Sequence, residues 1–125
     1  MSVPENLRYT KEHEWVGIDD SIATIGITDY AQGELGDIVF VELPDVGTEV
    51  RQMESFGTIE AVKTVADLYS PVSGEVVEVN SVIEETPEVM NKDPYGEGWI
   101  IKVRFSAEEE LTVLLGPEDY KALIS

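Results

Sequence analysis

The sequence has no cysteine, a single histidine, and only 8 basic residues against 26 acidic ones. Without cysteine there are no disulfides, no thiolate metal sites and no cysteine nucleophile. Any sulfur redox chemistry must then come from an attached group, because methionine does not cycle through a thiol. The lone histidine, His13, has no second histidine with which to complete a metal site. It is flanked by Glu12 and Glu14, and in a strand it would point away from both, so it is expected to be a surface or packed residue. The formal net charge of −18 repels phosphate backbones, which argues against nucleic acid as a partner. An acidic exterior favours a monomer and can steer basic patches on partner proteins. Apolar runs long enough to span a bilayer are missing, as is a signal-peptide pattern at Met1-Ser-Val-Pro-Glu-Asn6. The expectation is a cytoplasmic chain with no membrane partner.

Catalytic constellations are missing too. Acidic pairs occur at Asp19-Asp20, Glu84-Glu85 and Glu108-Glu109-Glu110, but none lies in a pattern that marks acid–base catalysis. The Glu108–Glu110 run suits the first turn of a helix, where the dipole favours acids. Gly33-x-x-Gly36 reads as a helix end and Gly96-Glu-Gly98 as a turn. Neither has phosphate-loop context.

What is present is a chain of 125 residues with a 42% hydrophobic fraction. That suffices for one domain, residues 1–125, burying roughly two-thirds of its unfolded surface. Lys11–Ile18 and Ser21–Ile27 read as a hairpin with Gly17–Asp20 between them. Thr28-Asp29 caps a short helix to Leu35, stopped by Gly36. Strands are expected over Asp37–Leu43, Glu75–Asn80 and Trp99–Phe105. Glu49–Gln52 is weak, Ser70–Gly74 is a turn, Pro87–Asn91 is one helical turn and Asp93–Gly98 is a loop. Ser106-Ala-Glu-Glu109 is a capping-box pattern with Leu111, Leu114 and Leu115 behind it. Gly116 stops that helix, and Pro117 starts another with Tyr120, Leu123 and Ile124 on one side. Short strands followed by helices predict a small β-barrel or sandwich with a helical tail. Gly36–Val41 and Gly74–Val79 are similar, and a domain of two related halves would place the segment between them at the joint.

That segment holds Lys63, the only base in the run Thr58-Ile-Glu-Ala-Val-Lys-Thr-Val-Ala-Asp-Leu-Tyr69. The run is about twice the usual strand length, so Phe56–Val62 and Thr64–Tyr69 are expected as two arms around Lys63. Its middle lacks the Gly, Asn, Asp or Pro that make tight turns cheap. On spacing alone, a charge that blunts a β-rich edge outweighs a modified attachment point.

Resemblance alters that balance. The segments Tyr9-Thr-Lys-Glu-His-Glu-Trp-Val16, Gly26-Ile-Thr-Asp-Tyr-Ala-Gln32, Leu35-Gly-Asp-Ile-Val-Phe-Val-Glu-Leu-Pro44, Ile59-Glu-Ala-Val-Lys63, Asp67–Val76, Glu78-Val-Asn80 and Asn91–Trp99 together resemble the glycine cleavage H-protein family. The resemblance covers nearly the whole chain. It implies a mainly β fold, the lipoyl/biotinyl-type flattened barrel-sandwich of two antiparallel sheets with added short helices and a helical C-terminus. It implies that Lys63, at a hairpin tip, carries lipoic acid in amide linkage, and that lipoylating enzymes read Glu60 and Gly74. Gly74 is also expected to turn the chain into the next strand. The family usually has Glu-Ser-Val-Lys, and Ala61 replaces that serine without bulk.

The implied function is a non-catalytic lipoyl carrier. It takes an aminomethyl group from a pyridoxal-phosphate glycine decarboxylase (P protein) to a tetrahydrofolate-dependent aminomethyltransferase (T protein), and is reoxidised by dihydrolipoamide dehydrogenase (L protein). A groove with a carboxylate is expected to shelter the loaded arm, with Glu14 first and Glu12 and Asp67 behind it. A lipoate relay or an unmodified binding module is the alternative. A biotin carrier ranks low, because Val62 and Thr64 stand where biotin sites place methionines.

Overall fold

The computed structural model describes residues 2–125. In chain order the elements are β1 (Arg8–Tyr9), β2 (Glu14–Asp19), β3 (Ile22–Ile27), α1 (Asp29–Leu35), β4 (Ile38–Glu42), β5 (Glu49–Val50), β6 (Ser55–Ala61), β7 (Val65–Tyr69), β8 (Gly74–Val79), α2 (Ser81–Glu85), α3 (Val89–Lys92), β9 (Ile101–Phe105), a 3-10 turn (Glu108–Val113) and α4 (Pro117–Ile124). A six-stranded sheet, β1-β2-β3-β9-β8-β5, faces a three-stranded sheet, β4-β6-β7. Every ladder is antiparallel. Alternation drives the packing: Ala23, Ile25 and Ile27 from β3 meet Ile38, Val41, Ile59 and Leu68 from the smaller sheet in one core. A second cluster stacks Tyr9 on Tyr120, with ring centroids 4.6 Å apart, and fixes α4 beside β1. The two antiparallel sheets with added short helices and a helical C-terminus are the architecture expected.

Several local expectations are corrected. Gly17, Ile18 and Asp19 are paired with Thr24, Ala23 and Ile22, so the β2–β3 connection narrows to Asp20-Ser21. Asp20 takes the left-handed conformation (φ 55°) there, which Asp tolerates. The capping box at Ser106 starts no α-helix. Glu108–Val113 is a 3-10 turn with no side-chain cap, because distant groups claim its backbone. Leu115 N–H donates to Tyr9 O (2.7 Å), and Gln52 Nε2 donates to Glu110 O (2.9 Å). The Glu110 carboxylate likewise serves more than a helix dipole, accepting from Ser73 N–H (2.7 Å) and Ser73 Oγ (2.6 Å). In α4, Tyr120 is buried and Ile124 packs with it, whereas Leu123 is 46% exposed. Helix α2 was not expected; Asn80, read as the end of a strand, caps it by accepting from Val82 N–H (3.2 Å).

The two similar segments begin β4 and β8, which lie in different sheets, with the β6–β7 hairpin between them in the chain. Their glycines do different work. Gly36 has φ 79° and ends α1. Gly74 has no positive φ, so it does not turn the chain by left-handed geometry. A Cβ there would overlap the backbone carbonyl of Arg104, so Gly74 permits β8 to lie close against β9.

The β6–β7 hairpin reverses at Val62-Lys63. Glu60 faces Val65, and Ala61 N–H donates to Thr64 O (2.8 Å). No tip residue is left-handed, unlike the favoured two-residue turns. The tip is held from outside instead. Val62 N–H donates to Asp37 O (3.0 Å). Asn91 on α3 fixes the residues on either side of Asp37, accepting from Ile38 N–H (3.0 Å) and donating to Gly36 O (2.8 Å) and Gln32 Oε1 (3.2 Å).

Replacing Asn91 by Ala leaves Ile38 N–H and Gly36 C=O without these partners. The expected cost is about 1–3 kcal/mol by chemical denaturation, with faster hydrogen exchange at Val62 N–H. Unchanged protection at Val62 would remove the brace. Gly74→Ala is expected to lose about 1–3 kcal/mol through overpacking against Arg104; a melting temperature equal to wild type would show that the strands separate freely.

Candidate attachment site and acidic cleft

Lys63 is exposed at the hairpin tip. Its stem lies over Gly36, where an added Cβ would sit 3.4 Å from Lys63 Cε. Gly36 closes α1 with φ 79°, and a Cβ there would meet the lysine stem only at ordinary contact distance. Three ion pairs occur among the described residues, Lys102–Glu78, Arg104–Glu75 and Lys121–Glu118. Lys63 is in none of them. It stands at the reversal rather than along the outer edge of β4 or β7, where an edge-blunting charge is placed.

Beside the hairpin lies a cleft of about 310 Å³ between β7, α1 and the turn Glu12-His13-Glu14. Ile27, Ile59 and Leu68 give it an apolar floor, and Glu12, Glu14, Glu34 and Asp67 give it carboxylates. The three acids expected in a groove therefore share one. Asp67 on β7 and Glu12 in the turn are exposed. Glu14 is not a surface acid: it is 1% exposed. Its Oε1 accepts from Thr10 Oγ1 (2.6 Å) and its Oε2 from Tyr69 N–H (3.2 Å). The second bond satisfies the outer edge of β7 from β2, joining the two sheets. Burial pushes the Glu14 carboxyl up to about 8, against the opposing pull of the Thr10 and Tyr69 hydrogen bonds.

His13 departs from its strand expectation. It sits in the turn before β2 with φ 73°, so the alternation that would point it away from Glu12 and Glu14 does not apply. All three line the cleft. Its Nδ1 meets Tyr120 Oη (2.9 Å), which also meets Thr28 Oγ1 (2.7 Å). Burial lowers its pKa, partly offset by Glu12 and Glu34. His13 is the packed histidine that was one of its two expected roles.

Glu60 is exposed on β6, between Phe40 of β4 and Val65 of β7. Gly74 lies beyond the open end of the hairpin, paired with Val50 and Phe105, and is not brought to the tip. Glu34, Thr10 and Asn91 were missed. Thr10 had a local signal: its hydroxyl accepts from Glu12 N–H and Glu14 N–H (both 3.2 Å), a Ser/Thr-type turn that could be read from Thr10-Lys-Glu-His-Glu14. Asn91 had none, since its partners are remote in the chain; Glu34 has a local partner, accepting from Tyr30 Oη (3.3 Å), but the acids that share its cleft are remote.

The sequence model described as "Glycine cleavage H-protein" matches residues 7–125. The chain is 57% identical over 122 residues to the glycine cleavage system H protein of Carboxydothermus hydrogenoformans, covering 98% of this chain and 94% of that one. It is 61% identical over 118 residues to that of Rubrobacter xylanophilus, covering 94% and 91%. The crystal structure of a glycine cleavage system H protein from Mycobacterium marinum superposes with a TM-score of 0.90 at 40% identity, covering 96% of this chain and 97% of that one. With this agreement in sequence, fold and length, the chain belongs to the glycine cleavage H-protein family, the non-catalytic lipoyl carriers of the glycine cleavage system.

Proposed function

We propose that Lys63 is the lipoyl attachment residue, bound to lipoic acid through its ε-amide. The observation that supports this most is the placement of an exposed lysine on a braced tip next to an acidic, apolar-floored cleft. Lysine suits the task, because a free ε-amine on a four-carbon stem can be acylated. When bound, the lipoyl group supplies the reactive sulfur that a chain without cysteine lacks. The apolar floor suits an aliphatic chain, and the carboxylates suit a cationic end. Glu14 would hold that end, with Glu12 and Asp67 at the rim. A cation entering the cleft favours ionised Glu14, so its entry is coupled to loss of the Glu14 proton.

The chain is then a substrate for glycine decarboxylase, aminomethyltransferase and dihydrolipoamide dehydrogenase in turn, and for a lipoylating enzyme that reads Glu60 and Gly74. A cytoplasmic location follows from the same reading. Among the described residues no helix is long and apolar enough to cross a membrane.

Intact mass of protein from its native host tests the attachment. A lipoyl adduct is expected, and it disappears in Lys63→Arg; an adduct that persists in the variant sinks the assignment.

Glu14 gives a pH test. Its folded value of about 8 lies above the ordinary carboxylate range, so the folded chain holds this proton more tightly than the unfolded chain. The contribution to stability is complete below the ordinary range and is lost as pH rises to about 8. The stability of wild type relative to Glu14→Gln is therefore expected to fall from about pH 5 to about pH 8. Urea denaturation across that range checks it, and parallel curves would show that Glu14 is ionised in the folded chain.

A further inference from the structure

Glu14 meets the cleft with both carboxylate oxygens engaged, and the shorter of the two bonds comes from Thr10. Thr10 is itself buried, at 3% exposure. Its hydroxyl has one proton to give and two lone pairs to fill. Backbone takes both lone pairs: Oγ1 accepts from Glu12 N–H and Glu14 N–H, each at 3.2 Å. The one proton is left for Glu14 Oε1, at 2.6 Å. Thr10 is thus a donor toward Glu14 by elimination, with no free lone pair to accept a proton from it. Tyr69 N–H, at 3.2 Å from Oε2, is a donor by nature. Together they fix both oxygens and favour the ionised form. The remaining acceptor sites of the carboxylate are what Glu14 offers to the cleft it lines. The main chain holds the spacing as well, since Thr10 N–H donates to Glu14 O (3.0 Å) and His13 N–H to Thr10 O (3.2 Å).

The other titratable groups of the cleft are Glu12 and His13 in the same turn, Glu34 on α1, and Asp67 and Tyr69 on β7. From α4, Tyr120 reaches only His13 and Thr28 by hydrogen bonds. Strand β3, paired with Glu14 through Ile27, carries no titratable residue. Lys11 lines a different groove, with Met53 and Leu115. Among the described residues no lysine or arginine lines the cleft. Burial and Glu12 favour protonated Glu14, and the Thr10 hydroxyl leads the groups that oppose them.

We propose that Thr10 is a positioning residue for cation capture in the cleft: its hydroxyl, committed as a donor by two backbone N–H groups, holds the Glu14 carboxylate in one orientation and favours its anionic state. The proposal rests on the reading of Glu14 as the group that holds the cationic end of the arm. A proton and that cation compete for the same carboxylate, and Thr10 sets the pH at which the cation wins.

The test titrates the Glu14 carboxyl carbon by NMR in the unmodified full chain, assigned by its disappearance in Glu14→Gln. Thr10→Val keeps the shape of the side chain and loses the hydroxyl. Its Glu14 midpoint is expected about one pH unit above wild type. Thr10→Ser retains the hydroxyl and is expected to match wild type. An unmoved midpoint in Thr10→Val overturns the proposal. In wild type alone, Thr10 Cβ is expected to titrate together with Glu14; a Thr10 Cβ that does not follow it overturns the proposal even where Thr10→Val does not fold. The lipoylated chain charged with an aminomethyl group gives a second readout, the formaldehyde released as that group is lost to water. The loss in Thr10→Val is expected to be about tenfold faster than in wild type near pH 7 and to approach wild type above about pH 9. A loss faster by one factor at every pH is a loosened fold and overturns the proposal. Equal loss in wild type and Glu14→Gln removes the cation-holding reading instead. The NMR midpoints need no arm, so they still decide whether Thr10 governs Glu14, which separates the two failures.

Discussion

The hydrogen bond from Val62 N–H to Asp37 O is what allows a lysine to stand at the end of a strand pair with no turn-forming residue. A two-residue hairpin normally depends on left-handed residues for its reversal. Here no tip residue has a positive φ, and the donor that a looser loop would leave to water is taken by the residue just before β4. The acceptor is held in turn: Asn91 binds both Gly36 O and Ile38 N–H, on either side of Asp37. The tip is therefore as rigid as the junction of α1 and β4, and the mobility a carrier needs is left to side-chain torsions beyond it. A glycine-rich tip would add backbone freedom to that motion and so reduce the effective concentration of the carried end at a partner.

The cleft depends on a buried acid in a similar way. Glu14 closes the free edge of β7 through Tyr69 N–H and is itself held by Thr10. A neutral glutamic acid there is a structural bridge between sheets; an ionised one is a partner for a cation. Burial sets the balance so that a nearby positive charge decides it. His13 ties the same turn to Tyr120 and Thr28. The C-terminal helix thereby reaches the cleft wall through a stacked tyrosine pair, and the helical tail belongs to the architecture of the site.

Much of the fold was legible because it rests on local rules. Alternation marked the β2–β3 hairpin, β-forming runs beside turn residues marked β4 and β8, the Thr28 cap marked α1, and the over-long run marked the β6–β7 hairpin. The site was legible in a different sense. Composition and spacing placed Lys63 among edge-blunting charges, and the family motifs around it were needed to select attachment. The misses share a cause. Asn91 and Ile38 are 53 residues apart, and the Tyr9–Leu115 bridge that prevents an α-helix after Ser106 joins the two ends of the chain. Neither leaves a periodic trace in sequence. His13 was misplaced because strand alternation was extended one residue beyond the strand, into a turn that Thr10 organises.

The charge pattern connects the tip to the task. In the unmodified chain the ammonium of Lys63 rests beside Gly36, at the C-terminal end of α1, where the helix dipole is negative. A cation is favoured at such a helix end. Acylation of the amine removes the charge and with it this attraction. It would also leave the strands β4, β6 and β7 and the tip between β6 and β7 with acids and no base. On the proposed attachment at Lys63, the covalent step that adds the arm would thus free the stem from α1 and make the tip more acidic. On that reading, a partner that must distinguish acylated from unmodified carrier would meet a different charge at the same braced position, with no change required in the fold.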